Sequence, residues 1–235
     1  MRYAIIFPTL LVGTWCWAHQ RAVFARHGLT LRQFDTPFVM ADCDPSMEGI
    51  EARCAELLEA CDGPALLAGN SLGGFVALRL ALRFPDKVLA TVISGSPGLG
   101  PTPNLGIGTK AMMSPTYANL VKDKIFADPS RVDDETVALA LGRIAEPRAA
   151  KNGIRLLRSL RGVDMAPEIA RLTVPTAMIW GAEDQVSPPP PWREASEPNP
   201  HVRFFEIAGS GHSPMYETPD AFNVILDGFL LETLA

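Results

Sequence analysis

One serine stands where a buried strand passes directly into a helix. The apolar run 65–69 leads into Gly69-Asn70-Ser71-Leu72-Gly73-Gly74, and helical periodicity begins at Leu72. This context is typical of a nucleophile on a sharp strand-to-helix turn, which strains the backbone, exposes the hydroxyl and needs glycine on either side. A phosphate-binding loop is the alternative, but its GxGxxG or Lys-Ser/Thr signature is missing. We therefore predict that Ser71 is a nucleophile.

A serine hydroxyl needs a neighbouring base to remove its proton at neutral pH. The chain contains four histidines. His19 and His27 lie on or at the end of the first predicted helix, and His201 precedes a strand in a proline-rich loop. His212 follows the predicted strand 202–207, at the carboxyl edge where open α/β sheets gather their chemistry. We predict that His212 is the base.

The imidazole in turn needs a carboxylate to fix its tautomer and stabilise its cation. The predicted strand 175–180 ends in Gly181-Ala-Glu183-Asp184, so two carboxylates follow it. Their positions alone do not separate Glu183 from Asp184. The strand before the central interval ends in Ser94-Gly-Ser-Pro97 and offers no competing acid. The order along the chain is therefore serine, acid, histidine.

The elements that must position these side chains follow an alternating pattern. Short apolar runs alternate with helical stretches, which indicates parallel βαβ units, and the continuous apolar character of the runs favours a sheet covered by helices on both faces. The predicted strands span 3–7, 31–34, 65–69, 88–94, 175–180 and 202–207. The predicted helices span about 17–27, 46–61, 72–84 and 219–233.

The interval 98–164 breaks this alternation. It opens with a Gly/Pro-rich linker, contains no convincing strand, and shows helical periodicity over 133–145 and 148–161. We predict a helical cap inserted before the strand that leads to the acid, with residues 1–97 and 165–235 forming the core. The run Pro188–Pro191 predicts a stiff, polyproline-like loop.

Three segments together resemble the signatures of the α/β-hydrolase superfamily in order and spacing, over nearly the whole chain. They are GNSLGG, PTAMIWGAEDQVSP and GSGHSPMYETPDAFNVILDGFL. The resemblance implies that Ser71 is the nucleophile, Asp184 the acid and His212 the base. It favours Asp184 over Glu183 because the family pattern places the acid third after the glycine. It also implies a helical lid over the interval 98–165.

The chain departs from this family where the first strand ends. Family members usually have His-Gly there, followed by a residue whose backbone N–H helps to hold the oxyanion; the matching positions here are Pro8 and Thr9, with Leu10 as the donor. The second donor is the N–H of Leu72, directly after the nucleophile. Thr9 is expected to stiffen and crowd this loop. It is compatible with a specialised acyl pocket, a non-hydrolytic reaction or a tolerated variant.

Large apolar side chains of the cap, together with Trp15 and Trp17 beside the oxyanion loop, predict an apolar and adaptable substrate pocket. The alternative is that most of them pack the cap onto the core. The pocket residues that we predict are Trp15, Met112, Met113, Tyr117 and Phe126. No metal ligands or cofactor are expected.

Basic residues recur along the predicted cap helices, and a solvated face explains them best. Docking of a carrier-bound acyl group, on coenzyme A or an acyl carrier protein, is the alternative for this set: Arg143, Arg148, Arg155 and Arg158.

Composition narrows the class of protein. The 235 residues carry 21 basic and 26 acidic side chains, a formal charge of −5, so a nucleic-acid partner is not expected. Four cysteines without a CxxC pair predict reduced thiols. The apolar run 3–18 does not match a secretory signal, because only one positive charge precedes it, Pro8 interrupts it, and Trp15 and Trp17 stand where small residues are expected at a cleavage site. Its first part, 3–7, reads as a short buried strand. A cytoplasmic protein without a membrane span is expected; its oligomeric state is left open.

Three functions fit these observations. The first is a serine hydrolase that cleaves an ester or thioester with a small-to-medium apolar acyl group. The second uses the same three residues for C–C bond hydrolysis, lyase or cyclisation chemistry, because GNSLGG is similar to the elbow of meta-cleavage-product hydrolases. The third is a non-catalytic ligand receptor on the same fold, which an intact triad disfavours.

Overall fold

In the computed structural model, the described residues are 1–100, 121–135, 138, 142 and 146–234. They form a six-stranded, fully parallel sheet in the order β2-β1-β3-β4-β5-β6. Each predicted strand is present to within two residues at either end. The strands are β1 (Arg2–Phe7), β2 (Leu29–Gln33), β3 (Ala65–Asn70), β4 (Val88–Ser94), β5 (Thr176–Gly181) and β6 (Val202–Ile207).

Helices cover both faces of the sheet, as the continuous apolar character of the strand sequences predicted. Alternate side chains of β1 enter different cores: Ile5 and Phe7 pack on one face, Ala4 and Ile6 on the other. Both cores are buried, so the central strands have no polar face. The helices are α1 (Arg21–Arg26), α2 (Met47–Glu59), α3 (Leu72–Arg83), α4 (Pro147–Ser159), α5 (Ala166–Ala170), α6 (Pro189–Ser196), α7 (Pro214–Glu217) and α8 (Pro219–Leu234).

The prediction of a polyproline-like loop at Pro188–Pro191 is wrong, because α6 begins at Pro189. The first turn of a helix has N–H groups without intrahelical partners, so proline is tolerated there. Trp192 then anchors the helix by stacking on Trp180, with ring centroids 4.9 Å apart. The first predicted helix is also divided, into a 3-10 segment at Thr14–Gln20 followed by α1.

Between β4 and β5, the described residues contain helices and turns but no strand. The predicted helix over 148–161 is observed as α4, whereas most of the predicted helix over 133–145 lies outside the described residues. α4 packs beside the short 3-10 turn Phe38–Met40. The side-chain amide of Asn152, on α4, donates to the carbonyl of Val39 at 2.9 Å. The division of the chain into core and cap remains a prediction.

The four cysteines are free thiols. Burial raises the pKa of the Cys16 thiol to about 12, which keeps it protonated at neutral pH. Within the described ranges, no helix has both the length and the apolar character that crossing a bilayer requires.

The strand order reverses between β1 and β3, so the loops that follow these two strands diverge and leave a crevice. Phe7 and Gly69 are paired at the carboxyl ends of the two strands. α3 crosses this point closely: a Cβ added to Gly73 would lie 2.5 Å from the carbonyl oxygen of Pro8 and 2.6 Å from that of Phe7. Glycine therefore permits the contact between the nucleophile helix and the end of β1.

Substituting Gly73→Ala should lower the free energy of unfolding by about 1–3 kcal/mol, because backbone atoms of β1 cannot yield to the new methyl group. Gly228→Ala is the matched control, since it lies inside α8 with no atom within 4 Å of its added Cβ. That change should stabilise the protein by about 0.5–1 kcal/mol through helix propensity. Urea denaturation measures both; equal effects at the two positions would contradict the close-crossing account.

Candidate active site

Ser71 lies between β3 and α3 with φ 54° and ψ −125°, and it is the one non-glycine residue with positive φ among the described ranges. Such a conformation costs about 1–3 kcal/mol and persists only where the surroundings hold it. The N–H of Ser71 donates to the carbonyl of Ser94 at 2.8 Å, and its carbonyl accepts from Gly74 and Phe75. A Cβ on Gly69 would lie 2.2 Å from the Gly73 carbonyl carbon, so the predicted need for flanking glycine holds.

The histidine and the aspartate that the resemblance implied lie in contact. Nδ1 of His212 is 2.9 Å from Oδ2 of Asp184, and both side chains are buried. Oδ1 of Asp184 also accepts from the N–H groups of Val186 and Ser187, at 2.8 and 2.9 Å. These bonds fix the carboxylate, which in turn occupies Nδ1 of the imidazole and leaves Nε2 for other partners.

Glu183, the alternative acid, is directed elsewhere. Its carboxylate accepts from the N–H groups of Gly209 and Ser210, at 3.2 and 3.0 Å, in the loop that leads to His212. It is exposed, whereas Asp184 is 4% exposed. The geometry therefore assigns the histidine contact to Asp184 and a loop-holding contact to Glu183.

The other three histidines lie away from this pair. His27 caps the end of α1 and lies 2.7 Å from Asp227 on α8. His19 and His201 are exposed. None of the three is among the described residues that line the cavity next to Ser71.

The loop after β1 is organised by the side chain of Thr9. Its hydroxyl accepts from the N–H groups of Leu11 and Val12, at 3.2 and 2.8 Å, while its own N–H donates to the carbonyl of Val12 at 2.9 Å. The N–H of Leu10 and that of Leu72 have no acceptor among the described residues. Thr9 therefore occupies the neighbouring N–H groups and leaves Leu10 as the available donor.

A cavity of about 170 Å³ opens at Ser71 and His212. Leu10 and Leu72 also border it, together with residues from the loop after β1, from 121–126 and from the end of α4. Lys122 is the one described lining residue with a permanent charge, and its ammonium donates to Asp134 at 2.7 Å. The walls are otherwise mostly apolar: Leu11, Val12, Trp15, Leu99, Val121, Ile125, Phe126, Val132, Leu157, Leu160, Val163 and Tyr216.

Of the predicted pocket residues, Trp15 and Phe126 line this cavity. Three predicted pocket residues lie outside the described residues, namely Met112, Met113 and Tyr117, and so does Arg143 of the predicted cap. The expectation that Trp17 contributes to the pocket is wrong: it is fully buried in the core, where its ring meets Phe222 edge-on at 5.5 Å. Two indoles spaced two apart on a 3-10 segment point in different directions, so only Trp15 reaches the cavity.

Comparison with known proteins identifies the family. The model of the alpha/beta hydrolase family matches residues 10–224. The chain belongs to the alpha/beta hydrolase family. Among solved structures, the chain is similar to the enol-lactonase from Burkholderia xenovorans LB400, with a TM-score of 0.81 and 21% identity over 98% of this chain and 92% of that one. At 21% sequence identity, this similarity shows the fold alone.

Two proteins that are related to this chain in sequence differ widely in length and in name. A 2-hydroxy-6-oxononadienedioate/2-hydroxy-6-oxononatrienedioate hydrolase from Pseudomonas is 28% identical over 180 residues, 71% of this chain and 62% of that protein. Polyketide synthase ThaQ from Burkholderia thailandensis is 30% identical over 201 residues, 79% of this chain and 10% of that protein. The chain thus spans less than two thirds of the length of either relative.

Sequence reasoning missed Asn70, the residue before the nucleophile. Its buried side-chain amide donates to the carbonyl oxygens of Ser94 and His212, at 3.1 and 2.8 Å, and its Oδ1 accepts from Ser213 at 3.3 Å. Asn70 thereby ties the end of β4 to the histidine loop. A polar residue inside the otherwise apolar run before Ser71 was the available signal.

Glu217 was also missed, although it lies in the same signature segment as His212. It is 5% exposed and accepts from the N–H of Gly211 through Oε2 and from that of Asp128 through Oε1, both at 2.7 Å. The N–H of His212 donates to the carbonyl of Ile125 at 2.6 Å. The segment 125–128 is therefore bonded directly to the histidine loop.

Within the described ranges, no group of three or more metal-ligating side chains is present.

For the ester hydrolysis proposed in the next subsection, with Leu10 as an oxyanion donor, replacing Thr9 by valine should lower kcat for p-nitrophenyl butyrate by about 10-fold or more, since a complete loss of one oxyanion donor costs about 10²–10³. The reason is that Leu11 and Val12 lose their acceptor and the loop no longer fixes Leu10. KM should change little, because the donor acts mainly in the transition state. Thr9→Ser keeps the hydroxyl that accepts from Leu11 and Val12 and should retain the activity. Full activity in Thr9→Val, or a loss confined to Thr9→Ser, would contradict this role of the hydroxyl.

Glu217→Gln should lower the free energy of unfolding by about 1–3 kcal/mol, because an amide has one oxygen and cannot accept from both Gly211 and Asp128 in a buried position. The matched control is Glu183→Gln, which also loses one acceptor for a backbone N–H but lies where water can replace it. Its effect should be about 0.5 kcal/mol or less. Urea denaturation at pH 7 measures both, and equal destabilisation would refute the importance of burial at Glu217.

Proposed function

We propose that this protein is a serine hydrolase that cleaves an ester or thioester bond beside a small-to-medium apolar acyl group. The observation that carries the proposal is the convergence on one apolar cavity of Ser71, in its strained turn, and His212, bonded to Asp184. Membership of the alpha/beta hydrolase family supports it.

In the proposed reaction, Ser71 Oγ attacks the carbonyl carbon of the substrate. His212 takes the hydroxyl proton on Nε2, and the Asp184 carboxylate at Nδ1 stabilises the imidazolium that forms. The imidazolium then gives the proton to the leaving alcohol or thiol as the acyl–oxygen or acyl–sulfur bond breaks. Water, deprotonated by the same imidazole, releases the acyl group as a carboxylic acid and restores Ser71.

The developing oxyanion is proposed to take two backbone hydrogen bonds, from Leu10 and Leu72. Leu72 is the first residue of α3, so the positive end of the helix dipole adds to its N–H. The apolar walls of the cavity suit an acyl chain and exclude bulk water from the charged intermediate. The described lining does not contain a clamp for a highly charged substrate, since the Lys122 ammonium is already paired.

A second candidate function is hydrolysis of a C–C bond with the same residues. The specific observation in its favour is the set of relatives whose names describe such chemistry, among them a 2-hydroxymuconate semialdehyde hydrolase from Pseudomonas putida at 28% identity. This function would use His212 and the oxyanion donors on a ketone rather than an ester carbonyl. Inertness towards simple esters and thioesters, combined with turnover of a vinylogous 1,5-diketone, would favour it.

The proposal is tested first at the nucleophile. Ser71→Ala should reduce turnover of p-nitrophenyl butyrate by about 10³-fold or more, because the covalent route is lost. Ser130→Ala, at an exposed position, is the matched control and should keep full activity. Unchanged turnover in Ser71→Ala, or failure of a fluorophosphonate probe to label Ser71 in the unmodified protein, would overturn the proposal.

Acyl-chain profiling then separates the substrate classes. Butyryl, hexanoyl and decanoyl groups are compared as p-nitrophenyl esters and as N-acetylcysteamine thioesters. An apolar cavity predicts that kcat/KM rises with the first added methylenes, each of which contributes about 0.8 kcal/mol when buried. A flat profile across chain length would show that the cavity does not hold the acyl group.

A further inference from the structure

Helix α4 presents two chemically different faces. Leu157, and Leu160 just after the last turn, line the cavity that contains Ser71. The outer side carries four exposed basic residues at intervals of three and four, a spacing that places them along one side of a helix. They are Arg148, Lys151, Arg155 and Arg158. We refer to these four residues as the basic stripe.

The charge of the stripe is unusual for this chain. Residues 147–161 contain five basic and no acidic residues, whereas the whole protein has a formal charge of −5. Arg148 and Arg155 form exposed ion pairs with Asp42 and Asp44, at 3.7 and 3.0 Å. Among the described residues, no carboxylate lies within ion-pair distance of Lys151 or Arg158. The stripe therefore holds positive charge in excess of what the described surface neutralises.

A short apolar strip lies beside this charge on the same helix: Pro147, Ala150 and Ile154 adjoin Lys151, Arg155 and Arg158 along α4. From Arg148 to Arg158 the stripe extends about 15 Å along the helix axis, or nearly three turns. An apolar strip flanked by cations over this length complements an amphipathic helix that carries carboxylates at three- and four-residue spacing.

The same helix is tied to the proposed oxyanion loop. Asn152 of α4 donates to the carbonyl of Val39, and the N–H of Val39 donates to the carbonyl of Leu10 at 3.1 Å. The buried side of α4 is thus two hydrogen bonds from Leu10, and the outer face of the helix lies about one helix diameter, roughly 10 Å, from it. A ligand bound on the stripe would lie beside the site rather than at the far side of the molecule.

We propose that the basic stripe docks an acidic acyl carrier protein, which presents its acyl thioester to Ser71. This inference rests on the proposed function. Ser71 Oγ would attack the thioester carbonyl, the C–S bond would break, and the carrier thiol would leave with the proton held by His212. Water would then hydrolyse the acyl-serine. The length of the stripe and the apolar strip beside it favour a protein helix over the compact phosphates of a free nucleotide.

Three thioesters of hexanoic acid test the proposal. They are hexanoyl-N-acetylcysteamine, which has no charge, hexanoyl-coenzyme A, and a purified acyl carrier protein charged with hexanoyl-phosphopantetheine. The test variant is the double substitution Lys151→Glu/Arg158→Glu. The control variant, Arg83→Glu/Lys87→Glu, has the same change in charge at a different place. The control residues are exposed at the opposite edge of the sheet, next to the start of β4.

We expect kcat/KM for the carrier-bound thioester to exceed that for N-acetylcysteamine at least 10-fold at low ionic strength. Lys151→Glu/Arg158→Glu should remove this advantage and leave N-acetylcysteamine turnover unchanged, which also reports that the variant is folded. The control pair should keep most of the advantage. Added salt should reduce it in the unmodified protein, because steering between exposed charges is screened.

Other outcomes overturn the inference and identify what replaces it. An advantage for coenzyme A equal to that for the carrier, lost in the same variant, would assign the stripe to phosphates. Binding of the Ser71→Ala protein to vesicles of anionic lipid or to single-stranded DNA, but not to the carrier, would assign it to a different polyanion. Turnover of N-acetylcysteamine thioester without any carrier advantage would refute docking alone. Absence of turnover of all three thioesters and of p-nitrophenyl esters would refute the proposed function itself.

Discussion

The backbone of Ser71 stands at a positive φ that costs free energy, and the surrounding structure is arranged to hold it there. β3 delivers the residue, α3 leaves it at once, and Gly69 and Gly73 let strand and helix approach within distances that any side chain would block. The N–H of Ser71 is bonded to the end of β4. The compact crossing at the end of β1 therefore both maintains the strain and places the loop after β1 beside the serine hydroxyl.

A second set of contacts joins the interval between β4 and β5 to the groups around Ser71. Buried Glu217 bonds the backbone of Gly211 and of Asp128, and the N–H of His212 bonds the carbonyl of Ile125. On the other side, Asn152 reaches Leu10 through Val39. The described parts of this interval thus contact both the histidine loop and the loop after β1. Changes in the interval are expected to alter the alignment of the site as well as the shape of its cavity.

Charge is distributed unevenly over this acidic protein. The cavity has mostly apolar walls, and its one permanently charged described residue, Lys122, is paired. Excess positive charge lies instead on the outer face of α4, the helix whose inner side lines the same cavity. The proposed acyl group and the proposed acidic carrier would therefore be bound by opposite sides of one helix, without a buried unpaired charge.

Much of this molecule could be predicted from the sequence, because its signals are local. Apolar runs specified the strands, glycine spacing specified the turn at Ser71, and the positions of His212 and of the two acids after strand ends placed them at one edge of a parallel sheet. Tertiary contacts decided the rest. Only the fold shows that Asp184 meets the imidazole while Glu183 turns to the loop, that Thr9 occupies the N–H groups beside Leu10, and that Trp17 belongs to the core. Likewise only the fold shows that a helix begins at Pro189 and that its Trp192 packs on Trp180. These outcomes depend on which groups from distant parts of the chain come within hydrogen-bonding or packing distance, and residue spacing along the sequence does not contain that information.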